Sequence, residues 1–289
     1  MNTVWVLENI KGNLNSKDNY ANSKLNILLL LASVYLWKKN HRQDKCILYA
    51  DDLTIDILLK LKVLDFWDSI RPMPTTRRID KEVFWASPKL EVLAQLDEPA
   101  ILMDNDTHVY IPLRDFLNKD TLYVMHYENG GGYYPSSVDK YVKQLTFKRR
   151  WETDSVNVGF LHLPDPTFTK KYANQSLDIM EEFTKMGVKN SLYLIFSEQL
   201  LLKTMLEEEK IKYKPLLSTY YNCREWEWGD DHQEGIWTFK DSGEFVKHYG
   251  PLKRDIKDNK GNLNYESEIS HLLNCIRLPH LDLSIIPGR

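Results

Sequence analysis

Cysteine is scarce in this 289-residue chain: Cys46, Cys223 and Cys275 are the only three, far apart and in no C-x-x-C pair. That speaks against a disulfide-stapled scaffold and a thiolate zinc site, and it fits a reducing, cytoplasmic setting. Long apolar runs are missing too. The most apolar stretch, Leu25 to Trp37, is about 13 residues, against the ~20 that a membrane-spanning helix needs. The opening MNTVWVLENIKG lacks the basic-then-apolar pattern of a secretory signal. No transmembrane segment is expected. Charge of one sign is not in excess either: 38 basic against 41 acidic side chains give a net charge of −3. Nothing therefore draws the chain as a whole to nucleic acid or anionic lipid, and any anion site must be local.

What is present is an ordinary globular composition, 43% hydrophobic and 27% charged, long enough to bury a core without staples. Strands are expected at Val4 to Leu7, at KCILYADD (Lys45 to Asp52) and at AILMD (Ala100 to Asp104). Between them lie a mostly buried helix, Leu25 to Asn40, the amphipathic run LTIDILLKLKVL, and a helix SPKLEVLAQL with Ser87 as N-cap and Pro88 in its first turn. Pro72 and Pro74 punctuate a loop. Such β/α alternation implies a mostly parallel sheet with helices on both faces.

After Leu113 the pattern is mixed. Thr121 to Glu128 and Val156 to Leu163 read as strands around a Gly130-Gly131-Gly132 loop, PTFTKKYANQSLDIMEEFTKM reads as a helix, SLYLIF (Ser191 to Phe196) as a strand, and EQLLLKTMLEEEK as another helix with Ser197 as its cap. No internal repeat or clear linker appears, so residues 1–289 read as one domain, with halves at 1–113 and 114–289.

The segment AILMDNDTHVYIPL places Asp104 and Asp106 just past a buried strand. Residues i and i+2 of a strand point to one side, and open α/β sheets bind ligands beyond the carboxyl ends of their strands. Two neighbouring carboxylates repel, and a divalent cation relieves that repulsion. Asp and Asn also suit any strand-to-turn junction, because their side chains bond nearby backbone.

Two families share this pattern. DNDT resembles the D-x-D-x-T of haloacid-dehalogenase-like phosphatases, which would make Asp104 a nucleophile toward phosphate. That motif normally follows a first strand, whereas about 100 residues precede it here, and Asp230-Asp231 does not follow an apolar strand. More of the chain resembles the GT-A glycosyltransferases, nearest in motif order to family 8-like and capsular-polysaccharide-type enzymes. There a Rossmann-like nucleotide-binding half leads to a D-x-D at about this depth. SPKLEVL resembles the helix that brings a basic residue, here Lys89, near the diphosphate. VNVGFLHL resembles an N-x-G strand lining the sugar pocket, giving Asn157 and Gly159. SEQLLL resembles D-Q-x-x-L with Glu198 for Asp and Gln199 matching, and KHYGPLKRD resembles H-x-x-G-x-x-K with one residue fewer between His248 and Gly250.

The resemblance implies a metal-dependent transferase moving a sugar from a nucleotide-diphosphate donor, UDP-sugar favoured, to a carbohydrate or other hydroxyl acceptor. It implies Mn²⁺ (or Mg²⁺) on Asp104, Asp106 and His248, with Asp104 also reaching the donor. Lys89 and Lys253, or Arg254 in place of Lys253, would face the phosphates. Asn157 and Gly159 would meet the sugar, and Glu198 and Gln199 the anomeric centre. Trp226, Trp228 and Trp237 offer aromatic faces for an acceptor, Tyr133 and Tyr134 a cover for the pocket, and Asp51-Asp52 a contact with the nucleoside, though polar turns and ordinary packing account for these as well. A non-catalytic sugar- or nucleotide-binding module is a third reading.

Overall fold

The computed structural model of the chain describes residues 1–8, 24–130, 132–218, 220–222, 227–229, 246–248, 265–278, 281–282 and 284. The expected alternation forms: β1 (Asn2–Leu7), α1 (Lys24–Asn40), β2 (Lys45–Ala50), α2 (Asp52–Lys60), β3 (Ser69–Pro72), α3 (Ser87–Leu93) and β4 (Ala100–Met103). Then follow β5 (Thr107–Val109), β6 (Leu122–Asn129), β7 (Ser155–Leu163), α4 (Pro166–Lys185), α5 (Leu192–Ile195), a π turn (Phe196–Leu200) and α6 (Leu201–Glu208). Short strands β8 (Tyr213–Pro215), β9 (Tyr220–Asn222), β10 (Glu227–Gly229) and β11 (Val246–His248) lead to α7 (Tyr265–Cys275).

Among the described residues the strands form one mixed sheet in the order β10-β9-β6-β7-β4-β1-β2-β3, with β8 beside β6, and a second small pair of β11 with β5. In the large sheet β1, β2, β3 and β4 run parallel, and β8 and β9 run parallel to β6; β7 is antiparallel to both β4 and β6, and β10 to β9. The chain is thus α/β with a mostly parallel mixed sheet flanked by helices, as the alternation requires. The segment expected as a loop around Pro72 contains β3, an edge strand that ends on that proline, where a missing N–H does least harm.

Strand alternation sorts the side chains into two cores. Val4, Val6, Ile47, Leu102 and Val124 pack with α3, α4, α5 and α6 on one face. Trp5, Leu7, Leu48, Ile101, Met103 and Phe160 pack with α1, α2 and α7 on the other. α1 is apolar nearly all round because it is covered nearly all round, and its one interior hydroxyl is satisfied in a chain: Trp5 Nε1 donates to Ser33 Oγ (2.9 Å), which donates to the Thr107 carbonyl (2.6 Å). α4 starts on an Asp165 cap that accepts from Thr167 N (2.8 Å), has Pro166 in its first turn, and stops at Gly187, whose φ of +71° suits glycine.

Three local expectations are corrected. SLYLIF is helical, not a strand: Asn190 Oδ1 accepts from Leu192 N (2.9 Å) at its start, and the helical path runs on through the π turn into α6. A short apolar run carries no period of its own, and the leucine-rich continuation decides its state. Ser197 accordingly lies inside this path and donates to the Tyr193 carbonyl (2.6 Å) instead of capping a helix. Ser87 is the first helical residue of α3, after an Ala86 cap.

Candidate functional site

The site is assembled at the carboxyl end of β4 and the amino-terminal half of β7, which runs antiparallel to it. β4 is buried along its length and breaks into a tight turn at Asp104, with Thr107 N donating to the Asp104 carbonyl (3.0 Å). The Gly159 carbonyl on β7 accepts from both Asp104 N and Thr107 Oγ1, each at 2.9 Å. Asn105 Nδ2 ties the turn to the Val6 carbonyl on β1 (3.1 Å). The two aspartates therefore flank a D-N-D turn instead of alternating along an extended strand, as these turn-forming residues favour. Asp106 is buried, and the β5–β11 register sets His248 opposite Thr107, the next residue along.

α3 brings Lys89 to this turn. Its Nζ lies 2.8 Å from Asp104 Oδ1 and 3.0 Å from Glu198 Oε1, with Lys89 and Glu198 side chains only 13% and 6% exposed. Burial opposes the Lys89 charge, but Asp104 and Glu198 outweigh it and hold the ammonium above the ordinary lysine range. Burial lifts the Glu198 carboxyl above the usual glutamate range despite Lys89, with Asp104 and Glu128 adding negative charge beside it. Glu198 and Gln199 sit on the π turn, a wide helical turn common at functional sites, and the buried Oε1 of Gln199 has no hydrogen-bond partner among the described residues.

Asn157 and Gly159 join the same network. Asn157 Oδ1 accepts from Gly159 N (2.9 Å) and Nδ2 donates to Glu128 Oε1 (2.9 Å). Glu128 Oε2 accepts from Tyr134 Oη (2.7 Å) and Ser155 Oγ (3.2 Å). Tyr134 is buried and held here by its bonds to Glu128 and Ser155. Gly130 is needed beneath it, because a Cβ there would lie 2.3 Å from the Thr153 carbonyl and 2.5 Å from the Tyr134 ring. Glu128 belongs to none of the sequence motifs. An acid near the end of an apolar strand is its one signal, and a register shift between Val124 and His126 breaks the alternation that would aim it.

The structure thus brings Lys89, Asp104, Glu198, Asn157 and Gly159 into one connected group. Asp51 caps α2 by accepting from Thr54 N (2.8 Å), which accounts for it as a turn residue. No described set of three or more His, Cys, Asp or Glu residues forms a metal cluster. Lys253, Arg254, Gly250, Trp226, Trp237, Asp230 and Asp231 lie outside the described residues, as do the side chains of His248 and Trp228. No described helix is long and apolar enough to cross a membrane.

The fold and the site together define an α/β protein with a buried, charged centre at the carboxyl edge of its sheet. Residues 1–259 match the family described as "Family of unknown function (DUF6734)", and the chain belongs to that family. No curated protein sequence matches it. Among solved structures it is similar to an active-site mutant of LgtC (13% identity, 95% of each chain, TM-score 0.45). It is also similar to the galactosyltransferase LgtC with donor and acceptor sugar analogues (12% identity, 74% of this chain and 73% of that one, TM-score 0.38). Mouse xyloside xylosyltransferase 1 in its apo form is a third (8% identity, 75% of this chain and 85% of that one, TM-score 0.41). At this distance these are likenesses only, and the chemistry is read from the geometry.

Proposed function

We propose that this sheet edge is the donor site of a metal-dependent glycosyltransferase, one catalytic unit over the chain, that moves a sugar from a nucleotide diphosphate, UDP favoured, to a carbohydrate or other hydroxyl acceptor in a reducing, cytoplasmic setting. One observation carries the reading. Lys89, Asp104, Asn157, Gly159 and Glu198 come from four segments spread over more than 100 residues, are singled out by their resemblance to one family's motifs, and meet within hydrogen-bonding distance.

The donor set suits a cation of the manganese type: two carboxylates in one turn and an imidazole-bearing residue in register beside it, so Asp104, Asp106 and His248 would hold it. When bound, the ion neutralises charge growing on the departing diphosphate. Lys89 fixes Asp104 and Glu198 relative to each other and offsets their charge, so the α3, β4 and π-turn sides of the site keep one geometry. As the bond to the diphosphate breaks, positive charge develops at the anomeric carbon; the carboxylates and the acceptor oxygen of Gln199 are the groups suited to stabilise it. Lys253 is assigned to the phosphates on the motif alone.

The test is a screen of UDP-, GDP- and CDP-sugars for Mn²⁺-dependent donor hydrolysis. The wild type hydrolyses at least one, and Asp106→Ala loses turnover while its circular dichroism and thermal midpoint stay near those of the wild type. Undiminished turnover in that variant, or a beryllofluoride adduct on Asp104 with no donor hydrolysis, rejects the assignment, the latter in favour of phosphoryl transfer.

A further inference from the structure

Glu198 and Gln199 depend on a backbone shape that helices rarely adopt. In the π turn Leu201 N donates to the Phe196 carbonyl five residues back and to the Glu198 carbonyl three residues back, so the Ser197 carbonyl between them loses its ordinary four-residue donor. A buried carbonyl displaced in this way needs a donor from elsewhere, and the Glu198 carbonyl has a second lone pair to offer. α4 supplies two. Ser176 Oγ donates to the Ser197 carbonyl at 2.5 Å, and Tyr172 Oη donates to the Glu198 carbonyl at 3.1 Å. Tyr172 and Ser176 are four residues apart, on one face of a long, well-capped helix, and both are fully buried. Two donors from one rigid rod thus grip two successive carbonyls of the segment that carries the candidate catalytic pair.

The grip has a geometric consequence. α5 and α6 are locked into the core on either side by Tyr193, Leu194, Leu201, Leu202 and Met205. A regular α-helix through the same residues would remove the extra residue of the wide turn, and each residue of a helix turns by about 100° relative to its neighbour. With both flanks fixed, that change of phase falls on Glu198 and Gln199, and Glu198 leaves Lys89. Burial, with the charge of Glu198 adding to it, keeps the Tyr172 phenol well above its usual range, so its hydroxyl stays a donor.

We propose that Tyr172 and Ser176 are positioning residues that hold the π turn open and so set the angle at which Glu198 and Gln199 meet the sugar. They touch no substrate. The proposal rests on the glycosyl-transfer reading. Neither residue belongs to a sequence motif of the site, and their role shows only in the tertiary contacts.

The test uses Tyr172→Phe, Ser176→Ala and the double variant, each of which removes a hydroxyl and little volume. The readouts are kcat for hydrolysis of whichever donor the wild type accepts, and titration of that donor's nucleoside diphosphate with Mn²⁺. In the double variant kcat falls about ten- to a hundredfold, as displacements of about 1 Å do, while the diphosphate, which has no sugar to present, binds within about twofold of the wild type. Unchanged kcat overturns the proposal, and so does a parallel loss of diphosphate binding, since a general structural defect moves both. If the double variant does not fold, Tyr172→Phe alone decides by the same two readouts. A wild type that binds no nucleoside diphosphate and hydrolyses no donor overturns the transfer reading itself.

Discussion

Two regions of the molecule's interior are opposite in chemistry. Between α1 and the sheet the interior is hydrocarbon, built from Ile27, Leu28, Leu29 and Leu31 against Trp5 and Phe160, with the Ser33 hydroxyl satisfied in a short line. At the carboxyl end of β4 and the amino-terminal half of β7, half-buried Lys89 sits with buried Glu198, Glu128, Asn157 and Ser155. An apolar core achieves stability without such groups, and buried ion pairs often add none. The difference teaches where to look for function: the α1 side holds the fold, while the charged side carries a cost in desolvation and is where the proposed donor site lies.

That comparison breaks or sharpens on a graded set of variants. Lys89→Met leaves Asp104 and Glu198 facing each other without a cation, and should lower unfolding free energy by about 3–5 kcal/mol; urea unfolding measures it, and a second change, Glu198→Gln, recovers part of the loss. Leu29→Ala, in the apolar region, should cost about 2–5 kcal/mol through its cavity, yet leave donor hydrolysis per folded molecule unaltered. A drop in kcat there erases the distinction between the two regions. Glu128→Gln keeps the shape but weakens the bonds to Tyr134, Ser155 and Asn157, for about 1–3 kcal/mol, with a larger effect on hydrolysis than on the thermal midpoint.

The smallest effect is pH dependence. His41 stacks on Trp37, its Nδ1 is 3.1 Å from the Trp37 carbonyl and its Nε2 accepts from Leu113 N (2.8 Å), so the ring is neutral with its proton on Nδ1. Burial lowers its folded pKa, although Asp44 pulls the other way, and burial likewise lowers that of His162. The unfolded chain therefore binds more protons than the folded one between the lowered values and the unfolded value of about 6.5. Stability is full above that value and is lost as pH falls below it. Thermal midpoints measured from pH 7.5 downward, read against the ~6.5 of free histidine, should show this decline, and a flat profile contradicts it.

Much of the fold and part of the site are legible in the order of the residues. β1, β2, β4 and α4 follow from apolar runs, period and caps, and the motif order points to Lys89, Asp104 and Glu198 as members of one site. The π turn is not legible, because a leucine-rich run fits several backbone states until neighbours choose among them. Glu128 is hidden by the irregular register of β6, and Tyr172 and Ser176 by having partners more than 20 residues away, which no local pattern records.

The central claim is that the carboxyl edge of this sheet binds a nucleoside diphosphate through a cation held by the D-N-D turn. Isothermal titration of UDP into the wild-type chain, first with Mn²⁺ and then with a chelator, tests it most directly. The account predicts binding with the metal, none with the chelator, and none in Asp106→Ala. Equal binding with and without metal, or undisturbed binding in that variant, contradicts it.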